Sequence, residues 1–200
     1  MIAALSNHKP VLVEKPLAIS REQLEEVRCA YQAEHHNAFL TVGFNRRFAP
    51  FTEKLKQFFA GRQVPMIVNI RVNAGYIPHD PWVQHNGGGR IIGEFCHFVD
   101  WAPCVVAASM VSVTANAPPA GARYSRDNVV ATLAFQDGSI GNLMYVANGD
   151  RPIPKEQFEV FCEGKVGRYR RFSRPRSGSR RQSQSRHGET RDMRARLNVR

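Results

Sequence analysis

The first 44 residues carry an apolar pattern that predicts alternating helices and strands. Continuous apolar runs at residues 11–13 and 39–44 are typical of strands that are covered on both faces of a parallel sheet. Between them, Ser20 precedes Gln23 in a capping-box pattern that predicts the start of a helix. Residues 2–6 have the pattern of an earlier helix end. The order helix, strand, helix, strand indicates the second part of a doubly wound domain.

After residue 44 the pattern predicts a different, mainly antiparallel part. A helix is expected to about residue 60, and strands are expected at residues 66–73, 111–117, 128–135, 139–146 and 157–162. Asp137-Gly138 lies between two of these strands and is typical of a hairpin turn. The predicted fold class is α/β plus α+β. We expect the second part of a doubly wound domain at residues 1–44, followed by an open antiparallel sheet with helices on one face at residues 45–167.

A glycine turn followed by a helical pattern contains the residues best suited to chemistry. The glycines at residues 87–89 suit a turn in which a ligand approaches the main chain. The apolar pattern that follows has helical spacing and is interrupted at steps of three by Glu94, His97 and Asp100. A helix would place these side chains on one face, where two carboxylates and an imidazole could move a proton. A core helix whose histidine is held by a neighbouring acid has the same pattern, so both interpretations stay open.

The net charge of +11 belongs almost entirely to the end of the chain. Residues 1–167 contain 16 basic and 15 acidic residues, whereas residues 168–200 contain 12 arginines and 2 acidic residues. Apolar periodicity stops at residue 168, which predicts an Arg/Ser-rich disordered tail. One interpretation is a basic arm that binds nucleic acid. A disordered appendage or the product of a shifted reading frame is favoured, because the body of the chain offers no aromatic platform for nucleic acid.

Composition restricts the class of protein further. An apolar content of 42% with 22% charged residues is ordinary for a globular chain, and no apolar run approaches the roughly 18 residues of a membrane span. The four cysteines, at residues 29, 96, 104 and 162, are widely spaced and predict neither a disulfide framework nor a metal site. The N-terminus lacks a secretory pattern. We therefore expect a cytoplasmic protein without membrane partners.

Three motifs in a fixed order resemble one enzyme family. Glu-Lys-Pro at residues 14–16 follows a strand, Gly-Phe-Asn-Arg-Arg-Phe at residues 43–48 follows the next strand, and the glycine turn with His97 and Asp100 comes later. Each motif alone is unspecific. The ordered set is similar to the glucose–fructose oxidoreductase, inositol dehydrogenase and MocA-like family of nicotinamide-dependent oxidoreductases, over roughly residues 3–167. In that family a Rossmann domain precedes an α/β domain with an open antiparallel sheet that carries the substrate. The resemblance therefore implies that residues 1–44 are the C-terminal remnant of a Rossmann domain and that residues 45–167 form the substrate domain.

The resemblance implies roles for individual residues. Lys15 matches a lysine that lies between the cofactor and the substrate hydroxyl, and His97 matches the acid/base histidine. The family's cofactor, NAD or NADP, would accept hydride from a sugar, cyclitol or similar polyol while a base takes the hydroxyl proton. The implied residues are Lys15, His97 and Glu94 for catalysis, Glu14, Lys15, Pro16 and Arg46 for the cofactor, and Asn45, Trp82 and Asp100 for the substrate.

The chain departs from the family pattern at two places. The family commonly has an aspartate four residues before the histidine, where this chain has Gly93. Glu94 is the nearest carboxylate on the same helical face and is the candidate substitute. No Gly-x-Gly-x-x-Gly turn occurs between a strand and a helix, so the pyrophosphate-binding loop has no counterpart. We therefore expect the middle of a longer enzyme, truncated at the front and altered behind.

Three functional hypotheses follow from the sequence. The first is an NAD(P)-dependent oxidoreductase acting on a sugar or polyol, which predicts that Lys15 and His97 converge. The second is a non-catalytic, truncated remnant of such an enzyme that cannot hold a dinucleotide. The third, and the least favoured, is nucleic-acid binding through the basic tail. A homo-oligomer formed through the open face of the sheet is also expected, because uncovered apolar faces favour association.

Overall fold

The computed structural model of the protein describes residues 1–34, 39–76, 88–119, 121, 127–150 and 152–171. These residues form two β-sheets, one of two strands and one of six. None of the described helices is long and apolar enough to cross a membrane. Most of the predicted tail, from residue 172 onwards, lies outside the described residues.

The smaller sheet is built from the N-terminal apolar runs. Its elements are, in chain order, α1 (Ile2–Leu5), β1 (Val11–Val13), α2 (Arg21–Ala33) and β2 (Leu40–Val42). The two strands are parallel, and Val11 pairs with Leu40. Leu5 and Val11 are buried together on one face, whereas Leu12 on the other face is 77% exposed. The predicted order of helix, strand, helix and strand is confirmed.

Helix α2 begins where the capping pattern predicts. The Ser20 hydroxyl accepts a hydrogen bond from the Gln23 backbone amide at 3.3 Å. The Gln23 side chain in turn accepts one from the Ile19 amide at 3.0 Å. These reciprocal bonds satisfy amides that would otherwise be unpaired at the start of a helix, and they fix the path of the chain just after residues 14–16.

The larger sheet contains the six remaining strands. They are β3 (Ile67–Asn73), β4 (Met110–Asn116), β5 (Val129–Phe135), β6 (Ile140–Val146), β7 (Glu156–Cys162) and β8 (Lys165–Arg171). The strand order is β4-β5-β6-β3-β7-β8, and β3 runs parallel to β6 but antiparallel to β7. The pairings are antiparallel, as predicted, except for the parallel pair of β3 and β6, so the sheet is mixed. Hydrophobic alternation identifies strands but does not identify their neighbours, so the central position of β3 was not visible in the sequence.

Strand β8 corrects the predicted start of the tail. It extends to Arg171, into the segment that was expected to be disordered from residue 168, and it pairs antiparallel with β7. Glu163 and Gly164 form the turn, with φ angles of 51° and 72° that suit a two-residue hairpin. Tyr169 packs against the core from β8. A tight turn and one core aromatic residue thus keep the chain in the sheet despite its arginines.

Two helices cover one face of the larger sheet. A 3₁₀ turn (Asn45–Phe48) leads into helix α3 (Pro50–Phe58). A π-helical turn (Ile91–Phe95) leads into helix α4 (Cys96–Val106). The helix predicted after the glycine turn is confirmed, but its first described full turn is wider than an α-helical turn. Hydrophobic periodicity alone does not reveal such local widening.

The core lies between these helices and the sheet. Phe158 in β7 is fully buried, and its ring centroid lies 5.2 Å from that of Phe51, 6.0 Å from Phe98 and 4.6 Å from Trp101. Aromatic contacts of this kind add to the stabilisation that comes from burial of apolar area. The core therefore fixes helix α4, which carries His97, firmly on the sheet.

The opposite face of the larger sheet is open in the part of the chain that the structure describes. Its outward side chains on β3, β5 and β6 include exposed apolar residues, namely Ile67, Val130, Ile140 and Met144. The helices thus lie on one face only, as the sequence predicts.

Candidate active site

The carboxyl ends of β1 and β2 meet the helix that carries His97. Lys15 follows β1, and its Nζ donates a hydrogen bond to the Gly93 carbonyl in the π-helical turn. Phe44 follows β2, and its ring lies edge-on to the His97 imidazole with the centroids 6.0 Å apart. Lys15 and His97 are distant in the sequence but neighbours in the fold, as the oxidoreductase hypothesis predicts.

His97 is almost completely buried at the start of helix α4, with 9% of its surface exposed. Its Nδ1 atom is buried and has no hydrogen-bond partner among the described residues. A buried polar atom without a partner costs free energy, and a catalytic or ligand-binding role is a common reason for its presence. Nδ1 is thus a ring nitrogen whose hydrogen-bonding capacity none of the described residues satisfies.

Burial and two neighbouring cations lower the pKa of His97 to about 4. Desolvation is the largest cause, followed by the charges of Arg46 and Lys15. The carboxylates of Glu94 and Asp100 oppose this shift without cancelling it. The imidazole is therefore neutral at pH 7, the form that can accept a proton.

The low pKa of His97 predicts a loss of stability in acid. The pKa is about 4 in the folded protein and about 6.5 in an unfolded chain. Between these values the unfolded state binds a proton that the folded state does not, so stability is lost as the pH falls. The free energy of unfolding is expected to decrease by about 2–3 kcal/mol from pH 7 to pH 4 through this group, with little further loss below pH 4.

Urea unfolding of the wild type and a His97→Gln variant across this pH range measures the effect. The variant lacks the titrating group, so its stability is expected to depend less steeply on pH. An identical pH dependence in the two proteins would show that the pKa of His97 is not lowered.

Glu94 belongs to a polar cluster between the helix and the sheet. The Tyr145 hydroxyl donates a hydrogen bond to its carboxylate at 2.6 Å, and Lys155 Nζ donates another at 3.0 Å. Arg90 donates to the Tyr145 hydroxyl at 2.8 Å and reaches the Glu94 carboxylate at 3.4 Å. Burial raises the pKa of Glu94, but Tyr145, Lys155 and Arg90 together hold it below its ordinary value. The carboxylate is therefore ionised and has three donors around it.

The predicted stack of Glu94, His97 and Asp100 does not form a hydrogen-bonded relay among the described residues. Glu94 bonds to the cluster just described, and Asp100 accepts two hydrogen bonds from the Arg47 guanidinium, one of them at 2.6 Å. The π-helical turn contributes to the separation of Glu94 from His97. It changes the angle between these two side chains around the helix axis from the angle that an α-helix would give. Both carboxylates influence His97 through their charge. Direct roles for Glu94 in catalysis and for Asp100 in substrate binding stay predictions.

Arg46 is bound to a buried partner in the larger sheet. Its two terminal nitrogens each donate to the Glu156 carboxylate at 2.9 Å, and Glu156 is 1% exposed. The guanidinium also lies over the Phe98 ring, 4.5 Å from its centroid. In this arrangement Arg46 acts on the site through its charge near His97, and it would have to leave Glu156 to contact a cofactor.

The other predicted residues lie at the edge of the site or outside the described part. Glu14 is exposed after β1 beside Gly43, where an added Cβ would come 3.0 Å from the carboxylate. Pro16 is half-buried in the same segment, and Asn45 is exposed at the start of the 3₁₀ turn. Trp82 lies outside the described residues.

Several residues of this region were not predicted from the sequence. They are Arg90, Tyr145, Lys155 and Glu156. Arg90 stands four residues before Glu94, a spacing that favours an ion pair on a helix and could have indicated it. Tyr145 and Lys155 reach Glu94 only because the strands pair in space. No local pattern reveals that proximity.

The described residues fit the nicotinamide end of a dinucleotide. An ammonium, an unpaired imidazole nitrogen and an exposed carboxylate come from Lys15, His97 and Glu14 at the carboxyl edge of a parallel sheet, where ligands bind in open α/β folds. A glycine-rich turn for the pyrophosphate is not found in the sequence. Among the residues that the structure describes, no group of three or more His, Cys, Asp or Glu side chains could hold a metal ion.

The chain is similar in sequence to several oxidoreductases. An uncharacterised oxidoreductase of Bacillus subtilis is 27% identical over 139 residues, which cover 66% of this chain and 40% of that protein. Inositol 2-dehydrogenase 2 of Saccharopolyspora erythraea is 33% identical over 122 residues, covering 58% of this chain and 34% of that protein. The chain therefore spans roughly a third to two fifths of the length of these curated relatives. No protein-family model matches the chain.

The fold is also found in solved oxidoreductase structures. UDP-N-acetylglucosamine 3-dehydrogenase from Acidithiobacillus ferrooxidans matches with a TM-score of 0.65 at 20% identity, over 84% of this chain and 52% of that chain. An NAD-binding oxidoreductase from Klebsiella pneumoniae matches with a TM-score of 0.63 at 22% identity, over 84% and 52% of the two chains. The chain is thus similar in sequence to several oxidoreductases, among them an inositol dehydrogenase, and its described fold is also that of solved oxidoreductase structures.

Proposed function

We propose that the protein is an NAD(P)-dependent oxidoreductase that acts on a sugar, a cyclitol or a similar polyol. Its relatives include an inositol 2-dehydrogenase and a glucose-6-phosphate 3-dehydrogenase of Bacillus subtilis, the latter 33% identical over 72 residues. The observation that carries the proposal is the position of Lys15 beside the turn before His97, whose Nδ1 has no partner among the described residues. An ammonium and a neutral imidazole at one strand edge are suited to the oxidation of a hydroxyl.

His97 is the base in this proposal. Its pKa of about 4 keeps the imidazole neutral at pH 7, so a lone pair is available for the hydroxyl proton. The ring nitrogen that faces the bound substrate would receive this proton. Loss of that proton and of a hydride from the adjacent carbon leaves a carbonyl group. A nicotinamide, when bound, supplies the hydride acceptor.

Lys15 stabilises the developing negative charge on the substrate oxygen. A lysine ammonium has three N–H donors, and one of them bonds to the Gly93 carbonyl. Two donors remain for the substrate and the cofactor. A fixed cation beside a buried site lowers the energy of an oxyanion more than the same cation in water does.

The two sheets have separate roles in this proposal. Residues 1–44 border the cofactor through Glu14, Lys15 and Pro16, and residues 45–167 supply His97 and the substrate side. The positions of these residues at the carboxyl edge of the smaller sheet and at the start of α4 support this division. Association into a homo-oligomer through the open face of the larger sheet is also proposed, because apolar side chains are exposed there.

Turnover with nicotinamide cofactors tests the proposal. The purified chain is incubated with NAD⁺ or NADP⁺ and a panel of inositols, aldoses and sugar phosphates, and the reduced nicotinamide is followed by its absorbance. Reduction that requires both the cofactor and one member of the panel is expected. If a chain shown to be folded by circular dichroism turns over none of them, the proposal fails. The alternative then favoured is a non-catalytic relative without the dinucleotide-binding loop.

A further inference from the structure

The helix that carries His97 contains a π-helical turn, Ile91–Phe95, close to its start. In this turn the Cys96 amide donates to the carbonyl of Ile91, which lies five residues earlier. In an α-helix the accepting carbonyl lies four residues earlier. Such turns are rare, they displace the carbonyl groups from their α-helical directions, and they occur frequently at functional sites. The turn therefore needs a physical reason in this fold.

Lys15 contacts the turn from the smaller sheet. It lies 78 residues before Gly93 in the sequence, at the carboxyl end of β1, and its Nζ donates to the Gly93 carbonyl. A glycine has no side chain to accept this bond, so the acceptor is the main chain itself. A carbonyl oxygen has two lone pairs and can accept a side-chain donor in addition to a backbone donor.

The next residue anchors the same turn on the sheet side. The Glu94 carboxylate is bound by Tyr145 from β6 and by Lys155 from the segment before β7. The turn is thus fixed by two independent contacts, one to the larger sheet through Glu94 and one to the smaller sheet through Gly93. This double attachment holds the direction of the Gly93 carbonyl relative to His97.

We propose that the π-helical turn is a positioning device that presents the Gly93 carbonyl to Lys15 and thereby holds the Lys15 ammonium beside His97. Gly93 is a positioning residue that acts through its backbone oxygen. A lysine side chain has four flexible bonds and loses considerable rotamer entropy when it is fixed, so a dedicated acceptor favours one position of the ammonium. The inference rests on the proposed function, because that function explains why the Lys15 ammonium needs a fixed position. The contact between Lys15 and Gly93 is measurable without any cofactor.

The carbonyl carbon of Gly93 reports the contact. The chain contains two Gly-Glu steps, Gly93-Glu94 and Gly188-Glu189. Labelling of glycine with ¹³C at the carbonyl and of glutamate with ¹⁵N therefore yields two correlations in a carbonyl–amide NMR spectrum. Replacement of Lys15 by Met is expected to move the Gly93 carbonyl resonance upfield and to leave the Gly188 resonance unchanged. An unchanged Gly93 resonance overturns the inference.

Deletion of Ile92 tests whether the turn itself sets the position of Lys15. Ile92 is partly exposed, and its removal shortens the π-helical turn to α-helical spacing. Because the Lys15 charge lowers the pKa of His97, NMR titration of the imidazole reports the distance of the ammonium. The deletion and Lys15→Met are both expected to raise the pKa of His97. If Lys15→Met raises it and the deletion leaves it unchanged, Lys15 keeps its place without the turn and the inference fails.

The two proposals can fail separately. A wild-type chain that shows the Gly93 signature but no turnover contradicts the proposed function and retains the contact. A chain that turns over substrate but lacks the signature contradicts the positioning device alone. If the Ile92 deletion does not fold, the carbonyl shift in Lys15→Met still decides whether the contact exists.

Discussion

Replacement of His97 by glutamine is expected to lower the rate of cofactor reduction by about 10²–10⁴-fold, the usual contribution of a general acid or base. The imidazole is buried, neutral at pH 7 and has an unpaired Nδ1 among the described residues, so glutamine removes the proton acceptor without removing a required structural bond. The rate at saturating substrate, compared between the wild type and His97→Gln, measures the loss.

A matched control is available for this substitution. His8 has a side chain that is 81% exposed, and it lies near the N-terminal helix, away from Lys15 and His97. The same change at His8 is expected to leave the rate unchanged. If His97→Gln retains full activity, His97 is not the base. If both substitutions lower the rate equally, the loss does not report on catalysis.

Replacement of Glu156 by leucine is expected to destabilise the protein by about 3–5 kcal/mol, the cost of leaving one charge of a buried ion pair without its partner. Glu156 is 1% exposed and accepts two hydrogen bonds of 2.9 Å from Arg46. Leucine would leave the Arg46 guanidinium buried against the Phe98 ring with no carboxylate to balance it. Urea unfolding gives the change in the free energy of unfolding.

A double variant separates the ion pair from other contacts of Glu156. In Arg46→Met/Glu156→Leu both charges are removed, and most of the lost stability is expected to return because the unpaired cation is gone. Glu25→Gln disrupts an exposed pair with Arg28 and is expected to change stability far less than Glu156→Leu does. A double variant no more stable than Glu156→Leu would contradict the assigned cause.

Much of the fold could be predicted because its signals are local. The apolar run of β1, the capping pattern at Ser20 and the Asp137-Gly138 turn each depend on a few neighbouring residues, and the structure confirms all three. The pairing of β3 with β6 depends on residues more than 70 positions apart and has no local signal. The extension of β8 to Arg171 was missed because the arginine-rich composition predicted disorder and the Glu163-Gly164 turn was not recognised.

The candidate site could be predicted only in outline. The ordered motifs indicated that Lys15 and His97 converge, and the structure brings them together at one edge. Their partners could not be inferred, since a helical spacing places Glu94 and Asp100 on the face of His97 without showing which cations compete for them. Tyr145 and Lys155 donate hydrogen bonds to the Glu94 carboxylate, and Arg47 donates to the Asp100 carboxylate. The π-helical turn that holds Lys15 was likewise invisible to a pattern of apolar positions.

Binding of a nicotinamide cofactor is the most direct test of the central claim. The purified chain is titrated with NADH and with NADPH, and the nicotinamide fluorescence is followed together with thermal unfolding of the protein. We expect saturable binding at micromolar concentration with a raised melting temperature, and about tenfold or greater weakening in Lys15→Ala. If neither cofactor binds up to millimolar concentration, this chain does not form the proposed oxidoreductase site, although its fold and its homology would stand.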